Sequence, residues 1–132
     1  VKLRDLEGQL IRYAPYDDTW TELHNGKEVR VSGIRHAHKH VDSLAEATGV
    51  RFLCPVCLLN NSGQRPGVHS CICWFVGVPL PENGGPHPAP GRWHVDPCST
   101  GLDDLTFCGP GAFSVALPCG HGYIENGEFN IR

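Results

Sequence analysis

Residues 50–57 read Val-Arg-Phe-Leu-Cys-Pro-Val-Cys, and residues 115–123 read Val-Ala-Leu-Pro-Cys-Gly-His-Gly-Tyr. In each stretch a short apolar strand runs into a sharp turn that carries metal-binding side chains. Cys54 and Cys57, two residues apart at a strand end, can turn both sulfurs toward one ion. Backbone N–H groups of such a turn then point at the sulfurs and spread their charge. Cys119 and His121, on the second turn, complete a tetrahedral N/S set of the kind that suits Zn²⁺. The residues between the two turns are no obstacle, because strand pairing can close them. The expected centre is therefore Cys54, Cys57, Cys119 and His121 in a zinc-ribbon-like layout. A redox pair at Cys54/Cys57 is the competing reading. It wants a following helix to lower the thiol pKa, and Leu58 to Gly63 is a poor helical sequence.

The strand expected at His69–Val76 offers second-choice ligands. Alternation puts His69, Cys71, Cys73 and Phe75 on one face and Ser70, Ile72, Trp74 and Val76 on the other. His69 and Cys73 can replace members of the first set. The plainer reading is a buried cysteine face packed on Phe75. Both faces are largely apolar, so this strand should be central. The Cys73-Trp74 pair lacks the helix N-terminus that a papain-type nucleophile needs.

Around these segments the chain reads as strands and turns. Its 132 residues allow one core, and 16 glycines and 11 prolines, about a fifth of the chain against about an eighth in average usage, favour turns over long helices. Strands are expected at Gln9–Tyr13 and Thr19–Leu23, parted by a turn over residues 14–18. Another is expected at Glu28–Ile34 after the hairpin turn Asn25-Gly26. The one expected helix starts at Asp42 or Ser43 and ends at Gly49. Further strands are expected at Arg92–Val95 and Ala112–Leu117, and a last hairpin joins His121–Glu125 to Glu128–Ile131. Residues 79–91, rich in Pro and Gly, read as an exposed loop and a candidate contact region. The expected fold is α+β, mostly β: a small antiparallel sheet with one short helix in a single zinc-stabilised domain, residues 1–132.

Charge and cysteine chemistry narrow the function. A net charge of −3 argues against broad phosphate neutralisation, so nucleic acid is a weak candidate partner. No apolar run approaches a membrane span. The opening VKLRDLEGQL is polar and charged, unlike a signal peptide, and with no Met in the chain a leader upstream of Val1 stays open. Seven cysteines, an odd number with a chelating spacing among them, fit a reduced, cytoplasmic metal protein better than a secreted disulfide scaffold. Cys98 and Cys108 read as spare thiols.

Two clusters could carry chemistry. His36, His38 and His40 alternate, as catalytic zinc ligands do, but Asp42 follows them instead of preceding the third His. A solvated connection is the plainer reading. Asp103 and Asp104 could serve acid/base work, yet adjacent residues point apart, and a turn role fits better.

Several stretches together resemble an uncharacterised family of small phage and prophage proteins to which the label ammonia monooxygenase is sometimes attached. They are LRDLEGQLIRY (3–13), GVRFLCPVC (49–57), GVHSCICWF (67–75), PGRW (90–93), STGLDDLTF (99–107) and FSVALPCGHGYIENGE (113–128). The family's final Cys-Gly-x-His-Gly-aromatic segment is one residue shorter here, and no role carries over to His36, His38 or His40. The resemblance implies a metal-stabilised domain from a phage, acting in the cytoplasm of a bacterial host, with no known activity. The expectation is a zinc-binding accessory protein that works by binding another protein, of host or phage. The alternative is a small zinc hydrolase, with an open site built from His36/His38/His40 or from His69 and Cys73 and a base at Asp103 or Asp104. A zinc-ribbon nucleic-acid binder is a weaker alternative.

Overall fold

The structure, a computed structural model, describes residues 1–77, 92–109, 114–117 and 119–132. It is mostly β, as the sequence indicates, with strands β1 (Gln9–His24), β2 (Lys27–His40), β3 (Gly49–Leu53), β4 (Ser70–Phe75), β5 (Arg92–Val95), β6 (Phe107–Cys108), β7 (Val115–Leu117), β8 (Gly120–Glu125) and β9 (Glu128–Ile131). Six of them form a sheet in the order β2-β1-β3-β4-β5-β6, and β7-β8-β9 form a second, smaller one. All neighbours are antiparallel except the short parallel pair β4 and β5.

The register follows side-chain periodicity. Val50 pairs with Cys73 and Phe52 with Cys71, so Val50, Phe52, Cys71, Cys73 and Phe75 share one face. That face packs on Leu3, Leu6, Leu105 and Phe107 and on Val115, Ile124 and Phe129 of the small sheet. Phe52 meets Phe129 at 5.7 Å between ring centroids, and Phe107 lies between Phe75 and Trp93 at 6.1 and 5.9 Å. Each buried phenyl contributes about 1.5–3 kcal/mol. As expected, β4 is central, flanked by β3 and β5.

Two local expectations give way. Residues 14–18 form no turn: β1 runs through Pro15, which pairs with His36. Beyond Ile11, β1 pairs with β2 alone, and a strand with one free edge tolerates a residue that lacks an N–H. In the same way His36, His38 and His40, expected in a connection, lie within β2.

The helix also moves. Residues 44–46 make a single 3₁₀ turn, and Gly49 opens β3 instead of ending a helix. Among the described residues the α-helix, α1, is Pro55–Asn60. Proline at its first position is pre-set for helical φ. Asn60, Asn61 and Gly63 close it, which is why propensity alone reads the segment as irregular.

Gly127 is the turn on which the small sheet docks. Its φ is +74°, and a Cβ there would lie 2.3 Å from the backbone oxygen of Asp103. Gly127 N–H donates to Leu105 O at 2.9 Å, and its own carbonyl accepts from Leu3 N–H at 2.8 Å. The loop expected over 79–91, and the Ala112 start of the strand before Cys119, lie outside the described residues.

Candidate metal centre

Three separate segments meet at one end of the large sheet. Cys54 follows β3 and caps α1, its sulfur accepting the Cys57 N–H at 3.5 Å. The first helical turn therefore holds Cys54 and Cys57 side by side. Cys119 sits in the tight turn between β7 and β8. That turn lies against α1, since a Cβ on Gly120 would be 3.2 Å from a Val56 methyl. His69 immediately precedes β4, and its carbonyl accepts from Cys54 N–H at 2.9 Å, extending the β3–β4 ladder by one step.

One ligand atom from each of Cys54, Cys57, His69 and Cys119 lies within 4.8 Å of all the others, and this is the group among the described residues able to hold a metal ion. Cys57 Sγ is 3.0 Å from Cys119 Sγ, and His69 Nε2 is 3.4 Å from the same sulfur. The other ring nitrogen, Nδ1, faces Cys71 Sγ at 3.8 Å, so the ring is held on both sides. None of the seven cysteines is in a disulfide.

Two thiols in and beside the cluster are held in the neutral form by their surroundings. The Cys57 thiol is pushed up to about 12, first by its hydrogen bond with Cys119 and then by desolvation. Burial, reinforced by Cys54, pushes Cys71 up to about 12 as well. Thiols so crowded resist ionising beside one another. A soft divalent ion, where one binds, displaces the thiol protons and takes thiolate and imidazole together. The raised Cys57 is also the reverse of an activated redox thiol, although α1 does follow Cys54.

Of the expected residues, Cys54, Cys57 and Cys119 converge, and His69, a second choice, joins them. His121 does not. It lies within β8 opposite Ala116 and is exposed, while Gly122 and Ile124 take the core-facing side of that strand. Cys119 is in the turn before β8, so spacing along the chain does not put its sulfur and the His121 ring on one point. Cys73 does not join either, because it packs in the core, 1% exposed, and burial raises its pKa. The antiparallel register sets His69 opposite Cys54. With α1 and a loop between the two strands, that register is not readable from the chain.

The other clusters serve the fold. His36 stacks on Tyr13, and His38 meets Trp74 edge-on at 5.4 Å. The three histidines of β2 form no metal group with one another or with other described residues. Asp103 forms a fork with Arg4, at 2.9 and 2.6 Å, which holds its carboxyl below the usual range. Asp104 accepts from Thr100 Oγ1 and from the N–H groups of Thr100 and Gly101, with the same consequence. Both carboxylates are thus committed to local structure. No described helix is long and apolar enough to cross a membrane. Among known proteins, no family model, no curated protein and no solved structure matches the chain.

Proposed function

We propose that the chain is a zinc-binding accessory protein that acts by binding another protein, with the ion in a structural role. The observation that carries this reading is the convergence of three cysteines and one histidine from three distant segments. Three sulfurs and one imidazole nitrogen are the donor set of a closed tetrahedral zinc site. Four protein ligands leave no position for a reactive water, so such an ion contributes folding energy and not Lewis acidity. The metal cluster ties α1, β4 and the β7–β8 turn together where the apolar core ends.

The binding role is supported by the ribbon formed by β1 and β2 beyond Ile11. Beyond Ile11 neither strand pairs with a third among the described residues, so both outer edges keep backbone groups that a partner's strand could take up. Seven unpaired cysteines, with Cys98 and Cys119 exposed, favour a reducing compartment such as the cytoplasm. A phage or prophage source, and with it a partner from host or phage, rests on the scattered motif resemblance.

Elemental analysis of purified protein, with His69→Ala beside His121→Ala, tests the reading. One zinc per chain is expected, lost in His69→Ala and kept in His121→Ala. Two metals per chain, or zinc lost only from His121→Ala, would refute the closed site.

A further inference from the structure

A cleft of about 640 Å³ opens beside the metal centre, lined by Arg4, Glu7, Gln9, Arg51, Arg65 and Ser70 among others. Three guanidinium groups face one carboxylate, so the cleft is cationic. Two of the three are already matched. Arg4 forks onto Asp103, and Arg65 Nε lies 3.2 Å from a Glu7 carboxylate oxygen.

Arg51 is different. It is half-buried in β3, between Gln9 of β1 and Ile72 of β4. Its Nη2 donates to the Gln9 amide oxygen at 2.8 Å. Among the described residues it has no carboxylate within ion-pair distance. Arg51 thus keeps most of its N–H donors available to a ligand in the cleft, with no carboxylate paired to it among the described residues.

The walls are shaped with some effort. Glu7 adopts φ +53°, rare for a residue with a side chain, and from there its carboxylate reaches Arg65. At Gly8 a Cβ would lie 2.5 Å from Leu3 O, so the turn closes only with glycine. Arg65 rides on the loop between Cys57 and His69. The Asn61 amide braces that loop by donating to Gln64 O at 2.6 Å and Pro66 O at 2.8 Å.

We propose that this cleft binds a small oxyanion ligand, its phosphate or carboxylate group held by the Arg51 guanidinium, with Arg65 and the Ser70 hydroxyl beside it. The planar fork of arginine matches both groups bidentately. The volume suits a small metabolite and not a folded partner. The cleft stands independently of the zinc reading.

Calorimetric titration of the full chain at fixed ionic strength, with inorganic phosphate and separately with tricarballylate, tests it. Saturable one-to-one binding of at least one anion is expected, and the tighter of the two identifies the ligand's class. Arg51→Gln should weaken that binding at least about tenfold, and Arg65→Gln about threefold. Lys39→Gln, on the exposed ribbon, should leave it unchanged. Arg65 is exposed, so its variant keeps the test decisive if Arg51→Gln fails to fold. No saturable heat with either anion, an affinity unmoved by Arg51→Gln or, where that variant does not fold, by Arg65→Gln, or an equal loss in Lys39→Gln would overturn the proposal.

Discussion

The knuckle around Cys54 and the ribbon of β1 and β2 are held by opposite means. The ribbon is local. Its strands meet through the turn Asn25-Gly26, and its stability comes from backbone pairing and cross-strand contacts. Arg35 lies 3.9 Å over the Trp20 ring, and Gly33 leaves room for that ring, since a Cβ there would be 2.8 Å from it. The knuckle is non-local. Its helix is six residues long, too short to stand without docking, and its side-chain partners arrive from residues 69 and 119. The contrast teaches that the two regions should fail independently: the knuckle with its ligands, the ribbon by fraying.

Removing the metal, or making Cys57→Ser, should have the largest effect. The cooperative melting transition measured by circular dichroism should disappear or fall steeply, because ligation energy is folding energy in such a site. Next comes Phe129→Ala, at the contact between the two sheets, which should cost about 3–5 kcal/mol in chemical denaturation. Gly127→Ala forces a side chain onto the Asp103 backbone from a left-handed φ and should cost about 1–3 kcal/mol by the same assay. Smallest is Trp20→Ala, which removes a cation–π contact from an exposed ribbon and should cost under about 1 kcal/mol. Amide exchange should speed up in β1 and β2 alone, with zinc content unchanged. Loss of zinc in Trp20→Ala would erase the distinction between the two regions.

What the sequence made legible follows the same division. Asn25-Gly26 and Asn126-Gly127 are local signals, and both hairpins form where they stand. The cysteines of the knuckle are legible because Cys-x-x-Cys is a local spacing. His121 is near Cys119 along the chain, but it lies within β8 with its side chain exposed, so nearness in sequence is not nearness of side chains. His69 reaches the cluster through the β3–β4 register, which depends on how the 16-residue connection from Cys54 to His69 folds. Pro15 is the opposite case: its turn-prone surroundings are overridden by fourteen cross-strand pairs. Helix α1 is not legible from composition, because proline and cysteine at its start carry little propensity. It forms where a proline at the first position and a cysteine cap meet the ligand cluster.

X-ray absorption at the zinc K-edge tests the central claim most directly. A first shell of three sulfurs at about 2.3 Å and one nitrogen at about 2.0–2.1 Å is the expected result. A shell of two sulfurs and two nitrogens, or one that includes a water oxygen, would contradict it.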